Sequence, residues 1–201
     1  GNYGTVVNPA TGKVWLDRNL GATQVATSST DAASYGDLFQ WGRGADGHQL
    51  RTSLTITSRA SNWYSGSFGA WLGRFILTYS NWLDITPLET HMWSGTAAEN
   101  NPCPCGFRIP TNAEWYQEIN TWATKNAAGA FASVLRLPLA GRRDGLTNGV
   151  IEDTGVRGNY WSSTVNGSGT IASRYLTIHS SNALTDINYI SYGFSIRCIK
   201  D

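Results

Sequence analysis

The residues whose types and spacing could do chemistry are three cysteines, three histidines and one glycine-rich run. Cys103 and Cys105 form a Cys-x-Cys step, Cys198 stands far downstream, and His48, His91 and His179 are scattered through the chain. A zinc site needs two closely spaced ligand pairs, and Cys103 with Cys105 has no partner pair, so no metal site is expected. The run Gly42-Arg43-Gly44-Ala45-Asp46-Gly47 fits G-x-G-x-x-G by letter. A dinucleotide site also needs a strand before it, a helix after it and an acidic residue about twenty positions on for the ribose. Here a helical pattern precedes the run, Ser/Thr-rich sequence follows it, and the acidic residue is missing, so it reads as a turn and no cofactor is expected. Glu152 and Asp153 are adjacent and would point to opposite faces of a strand, which excludes a carboxylate pair acting on one bond. No G-x-S-x-G elbow is present. Arg142-Arg143 reads as a solvated loop pair, and 15 Lys+Arg against 14 Asp+Glu leaves a formal charge of +1, with no attraction to nucleic acid. These patterns point away from catalysis.

Recognition is the alternative, and it centres on the segment from about Asn159 to Asp201. The segment opens on Asn159-Tyr160-Trp161-Ser162-Ser163 behind Gly158 and closes on Gly193-Phe194-Ser195-Ile196-Arg197-Cys198-Ile199, both strand-like. Between these ends, Thr164 to Tyr192 contains no Lys, Glu, Gln, Trp, Met or Pro. The first five of those types make up 22 of the 201 residues, so a window of this length should hold about three. A polar, Tyr-containing segment framed by strands suits binding. In Ser173-Arg174-Tyr175-Leu176-Thr177-Ile178-His179, Leu176 and Ile178 share one face. Ser173, Tyr175, Thr177 and His179 are therefore expected to point outward. Asn182, Thr185, Asp186, Asn188 and Tyr189 are expected in an adjoining loop. Together with Arg174 these form the candidate ligand-binding set, with Tyr175 and Tyr189 as anchors.

The rest of the chain must hold this segment in place. A length of 201 residues suits one domain with a full core, 22 glycines favour a turn-rich β or α+β fold, and nine Trp favour close packing. Thr5 to Val7 and Lys13 to Leu16 read as strands around the turn Asn8-Pro9-Ala10-Thr11-Gly12. Tyr35, Leu38 and Phe39 share a helical face, so a first helix is expected from a cap at Ser29 or Thr30 as far as Gly42. Residues 51–100 read as long loops packed down by Trp63, Trp71, Trp82 and Trp93. Thr111 to Glu114 is a capping box that starts a second helix through Trp115, Ile119 and Trp122, fraying near Asn126 to Gly129. Another turn over Phe131 to Leu135, a short strand over Leu137 to Ala140 and a polar connection from Gly141 to Gly158 complete the chain. No apolar run is long enough to span a membrane and no signal peptide is visible, so no membrane insertion is expected.

Several ordered blocks carry a family resemblance. Trp15-Leu16-Asp17-Arg18-Asn19-Leu20-Gly21-Ala22, Tyr35-Gly36-Asp37-Leu38-Phe39-Gln40-Trp41-Gly42-Arg43, Asp46-Gly47-His48-Gln49 and Asn101-Pro102-Cys103-Pro104 are four of them. Gly106-Phe107-Arg108-Ile109-Pro110-Thr111 with Glu114-Trp115, Tyr160-Trp161-Ser162-Ser163 and Gly193-Phe194-Ser195-Ile196-Arg197-Cys198 are the others. Together they resemble the Fibrobacter succinogenes major paralogous domain, over nearly the whole chain. The resemblance implies the C-type lectin-like fold: α+β, two helices with antiparallel sheets and long irregular loops, and neighbouring first and last strands. It also implies one such domain over residues 1–201. Cys103 and Cys198 lie inside matching blocks and Cys105 does not, so a Cys103–Cys198 disulfide is expected in an oxidising compartment, with Cys105 left over.

The wider fold family includes formylglycine-generating oxidases, but their late cysteine pair is missing here, where only Cys198 lies late. Calcium-dependent lectins carry Glu-Pro-Asn or Gln-Pro-Asp with Trp-Asn-Asp, and this chain has none of these. The resemblance extends to the target proteins of diversity-generating retroelements, in which template adenines are randomised. An Asn codon so treated never yields Lys, Glu, Gln, Trp or Met, the types that Thr164 to Tyr192 lacks. Two functions follow as expectations. One is a receptor or adhesion protein with a variable C-terminal surface for a protein or cell-surface ligand, located outside the cell, on its surface or on a virion. The other is a surface or structural module of fixed sequence packing against other domains.

Overall fold

The computed structural model describes residues 2–64, 68–85, 90–167 and 171–201. At the N-terminus, the Asn8 side chain accepts the Ala10 amide (3.0 Å) and Gly12 takes φ +71°. This turn folds β1 (Thr5–Val7) back on β2 (Val14–Leu16) as an antiparallel pair. The helix expected over Tyr35, Leu38 and Phe39 does not form. Asp31, not Ser29 or Thr30, caps a single 3-10 turn at Ala32–Ser34, and Gly36 then turns the chain at φ +68°. A Cβ at Gly36 would lie 2.2 Å from the Leu20 carbonyl oxygen, so the turn demands glycine. The chain leaves it extended, as β3 (Phe39–Gln40). All three residues are buried, so their spacing reported burial rather than helix.

β4 (Thr55–Ile56) and β5 (Phe75–Ile76) form a short parallel pair within the loop-rich middle. β6 (Phe107–Arg108) leads into α1 (Asn112–Ile119). The capping box is present: Thr111 Oγ1 accepts the Glu114 amide (3.2 Å), and the Glu114 carboxylate accepts the Thr111 amide (2.9 Å). α1 stops before Trp122, and α2 (Ala127–Ala132), capped by Asn126, stands where fraying was expected. The strand expected at Leu137 to Ala140 is displaced to β7 (Arg142–Arg143), which pairs with β8 (Ile151–Glu152) inside the supposed connection. β9 (Gly158–Val165), β10 (Ala172–Ile178) and β11 (Ala183–Tyr189) follow. The single strand expected from Gly193 to Ile199 is split in two. β12 (Gly193–Phe194) pairs with β3, and β13 (Ile199–Lys200) pairs with β2.

The result is an α+β architecture of two helices and mostly antiparallel sheets, ordered β1-β2-β13-β6, β11-β10-β9 and β3-β12-β7-β8. The last strand lies beside β2 of the N-terminal pair, through Ile199 opposite Trp15. β9 and β10 stand as a wall between two cores. Trp161 and Tyr175 face one core with Phe39, Trp41, Trp82, Trp93 and Phe194. Tyr160, Leu176 and Ile178 face the other with Trp15, Trp115, Ile119, Leu137 and Ile199. Cys103 is bonded to Cys198 (Cα–Cα 6.0 Å), and Cys105 is free and exposed.

Short strands and irregular backbone leave carbonyls without a ladder partner, and each must find a donor when buried. Here the tryptophans and arginines supply the donors. The Trp41 indole donates to the Ser162 carbonyl (2.8 Å), Trp82 to Trp41 (2.7 Å), Trp115 to Trp161 (3.1 Å) and Trp161 to Phe39 (2.7 Å). Arg51 donates to Gly36 and Ala140, and Arg59 to Asn81 and Leu83. Arg143, read from sequence as half of a solvated pair, is buried. It donates to the Gly149 and Ser53 carbonyls and stacks 4.4 Å from the Phe75 ring centre. Arg197 is buried with its guanidinium on the Asn19 side chain and the Leu135 carbonyl.

A half-buried carboxyl and a buried imidazole set opposing pH dependences. Burial, only partly offset by Arg51, pushes the Asp37 carboxyl from 3.8 up to about 6. Burial and then Arg43 push the His48 imidazole from 6.5 down to about 4, despite Asp46. A raised carboxyl destabilises the fold above its folded pKa, and that penalty disappears as pH falls from about 6 towards 3.8. A depressed imidazole favours the fold above 6.5, and that stability is lost as pH falls towards about 4. The two slopes cancel over much of the same window. Asp37→Asn should raise stability near neutral pH by about 1 kcal/mol, less than the full shift because the group is partly solvated. It should also uncover the acid-side decline due to His48. Urea titrations at several pH values check this; an unchanged pH profile would refute it.

Candidate recognition surface on the C-terminal hairpin

β10 and β11 form an antiparallel hairpin closed at Ser180-Ser181, where the His179 amide donates to the Asn182 carbonyl (2.7 Å). Paired residues share a face. Ser173 with Asn188, Tyr175 with Asp186 and Thr177 with Leu184 lie on one side. Arg174 with Ile187, Leu176 with Thr185 and Ile178 with Ala183 lie on the other. On the far side of β10, pairing with β9 shifts register between Ser173 and Tyr175, a bulge that lets both strands bend.

The outward face expected on β10 is not outward. Ser173, Tyr175 and Thr177 are buried, and His179 is half-buried. Alternation along a strand shows that two faces exist, but not that only one is covered. β10 is the central strand of its sheet, and both its sides meet a core. The Tyr175 ring packs 4.7 Å from Phe194 and 6.1 Å from Trp161, centre to centre. The polar groups are satisfied internally. Ser173 Oγ donates to the Thr164 carbonyl (3.0 Å), and Thr177 Oγ1 lies 3.3 Å from Asn159 Oδ1 and 3.0 Å from His179 Nε2. Burial raises the Tyr175 hydroxyl pKa, which the Asn188 side chain partly draws back. Burial lowers the His179 pKa, with Arg157 adding to it.

The loop expected over 182–189 is instead the edge strand β11. Asn182, Asp186 and Tyr189 are exposed, as are Leu184 and Ile187, while Thr185, Asn188 and Arg174 are half-buried. The edge is closed in a particular way. The hydrogen bonds His179 to Asn182 and Ile190 to Ile171 set the ladder's phase, so the amides of Ile187 and Tyr189 face away from β10. Each is covered by the preceding side chain: Asp186 Oδ1 accepts from Ile187 and Asn188 Oδ1 from Tyr189, both at 2.8 Å. Such caps protect an edge that carries no Lys or Pro.

The Tyr175–Asp186 side continues onto residues that sequence reasoning missed. Arg142, on β7, sits 5.0 Å from the Tyr192 ring centre and pairs with Glu152 at 3.0 Å. Tyr192 in turn stacks on Phe194. The available signal was the turn pairs Asp144-Gly145 and Asn148-Gly149, which mark a tight return between Arg142 and Glu152. Asp144 anchors that return. Against the upward push of burial, amides of Asn148, Leu146 and Thr147 and the Thr147 hydroxyl pull its carboxyl down to about 2.

The other candidates for chemistry have structural roles. In the Gly42–Gly47 turn, the Arg43 guanidinium pairs with Asp46 and the Asp46 carboxylate holds the His48 ring (2.7 Å), so the turn's interior is filled. Among the described residues, no group of three or more His, Cys, Asp or Glu could hold a metal ion, and no helix is long and apolar enough to cross a membrane. Asn166-Gly167-Ser168 fits the Asn-x-Ser pattern of a glycosylation acceptor, and its Ser168 lies outside the described residues. Compared with known proteins, the chain matches no family model, no curated protein and no solved structure.

Proposed function

We propose that this chain is a ligand-binding protein of receptor or adhesion type. In this reading it has the C-type lectin-like fold of the Fibrobacter succinogenes major paralogous domain. It displays its C-terminal hairpin outside the cell, on its surface or on a virion, as a diversity-generating retroelement target does, and it binds its ligand without transforming it. The observation that carries the reading is β11: an edge strand with Leu184, Asp186, Ile187 and Tyr189 turned to solvent, mounted on a wall buried on both sides. Exposed Tyr and aliphatic side chains on a rigid support are what a recognition surface needs. The two helices, the pairing of the last strand with β2 and the absence of Lys, Glu, Gln, Trp and Met from Thr164 to Tyr192 support the finer assignment.

The burial of Ser173, Tyr175 and Thr177 favours, for those three positions, the second reading of a fixed-sequence module. Variation is therefore assigned to β11 and the turns beside it. Sibling genes from one genome test this. They should differ at 184–189 and agree at 173, 175 and 177; siblings identical throughout the hairpin would leave only the fixed module. In a screen against cell-surface proteins and glycans, with and without calcium, Tyr189→Ala should weaken any captured ligand by about 2 kcal/mol. Unchanged affinity for every captured ligand would count against the reading.

A further inference from the structure

α1 crosses the β9–β10–β11 sheet diagonally. Its start is tied to β9, where the Asn112 amide donates to Thr164 Oγ1 (2.9 Å), and its end reaches β11, where Ile119 and Asn120 meet Ala183 and Leu184. The diagonal leaves one corner of that sheet face uncovered. Tyr116 (61 % exposed), Ile187 (43 %) and Tyr189 (39 %) line it, with Thr185 between them. Two cations flank the corner: Lys125, whose ammonium touches only the Asn120 side chain (2.7 Å), and Arg174, opposite Ile187. Among the described residues neither has an ion-pair partner. The nearby acids are spoken for or face elsewhere. Glu114 is paired with Arg108 (2.7 Å), Glu118 is buried on Asn8 (2.7 Å), and Asp186 lies on the opposite face of the hairpin.

We propose that this corner docks a protein segment presenting an aromatic or aliphatic side chain flanked by carboxylates; the proposal rests on the reading of the hairpin as the recognition element. The groove that adjoins the corner, with Tyr116, Ile119 and Lys125 on one side and Ala183 and Thr185 on the other, has a volume of about 250 Å³. That is below the roughly 300–1,000 Å³ of small-molecule sites and suits a single inserted side chain. The exposed side chains of the corner, Tyr116, Ile187 and Tyr189, are aromatic or aliphatic and its two flanking charges are both positive, so the complementary segment is apolar at its centre and acidic at its ends. The covered amides of Ile187 and Tyr189 cannot donate to an added strand, so side chains carry the contact at this end of β11.

Panning a phage-displayed random-peptide library against the immobilised full chain tests the proposal. The expected result is enrichment of peptides with Asp or Glu around Phe, Tyr, Trp or Leu. Synthetic copies should bind the charge-reversed variant Lys125→Glu/Arg174→Glu at least about tenfold more weakly and Tyr189→Ala similarly. Circular dichroism should confirm that both variants remain folded. Peptides insensitive to these changes but sensitive to Asp186→Ala or Asn182→Ala would overturn the corner while leaving the proposed function standing. Peptides insensitive to every substitution in the hairpin would overturn both. Failure to enrich acidic, apolar peptides would overturn the corner. So would co-sedimentation with phosphatidylglycerol vesicles that the charge-reversed variant loses, or self-association that Tyr189→Ala abolishes. Those two outcomes would assign the corner to a lipid surface or to a second copy.

Discussion

Tyr175→Ala should unfold much of the protein's stability margin, by about 3–5 kcal/mol, while Tyr189→Ala should change it by less than about 0.5 kcal/mol. Tyr175 is buried and Tyr189 is not, although their sequence surroundings are alike. The Tyr175 ring fills space against Trp161 and Phe194 on the central strand, and truncation leaves a cavity that those large rings cannot collapse into. Tyr189 is on the edge strand and 39 % exposed, and its face is open at the corner beside Ile187, so its loss leaves no enclosed cavity. Leu176→Ala, on the other side of β10, should cost roughly 2–5 kcal/mol. Equilibrium urea unfolding of the three variants, followed by tryptophan fluorescence, gives the comparison. A Tyr175 variant as stable as the parent would mean that the face toward Phe194 is open to solvent.

Reduction of the Cys103–Cys198 bond should lower stability by about 4–5 kcal/mol in the chain-entropy model, since the bond closes a loop across 95 positions. For a chain of this size that corresponds to a fall in Tm of roughly 10 °C or more. Cys198 is fully buried and Cys103 packs against the same core, so the paired substitution to Ala is the cleaner test than a buried Ser. Cys105→Ala, at the exposed thiol two positions on, should leave Tm unchanged. Calorimetry on the oxidised protein with and without reductant, and on both variants, measures the difference. Equal Tm values in all of them would show that the bond does not constrain the unfolded chain.

Where local chemistry decides structure, the sequence was readable. The Asn8–Gly12 turn, the Thr111 capping box and the strand at Tyr160 and Trp161 all rest on neighbours in sequence or on short alternating runs. The failures have a common origin in periodicity read without knowledge of the second face. Tyr35, Leu38 and Phe39 have helical spacing because all three are buried, and the backbone demand at Gly36 overrides that spacing. Ser173, Tyr175 and Thr177 looked solvent-facing because they are polar. Polar residues can occupy a buried face when Thr164, Asn159 and Asn188 supply partners from elsewhere in the chain. Asn182, Asp186 and Tyr189 remain exposed for the opposite reason: among the described residues β11 has no strand beyond it. Arg142 and Tyr192 meet only because β7 and β12 pair, at Gly193 opposite Arg143, and no local pattern encodes that pairing.

The wall formed by β9 and β10 has a kinetic consequence. Each strand contributes side chains to both cores, so separating them would hydrate Trp161 and Tyr175 together with Tyr160 and Leu176. Sub-global opening of one core without the other is therefore disfavoured, and the two behave as one foldon. Amides in the centre of β10 should exchange with solvent deuterium only through global unfolding, with protection equal to that of the Trp15 and Ile199 amides in the terminal sheet. Substitutions along β11 that touch neither core should leave that protection in place, whatever side chains they bring to the edge.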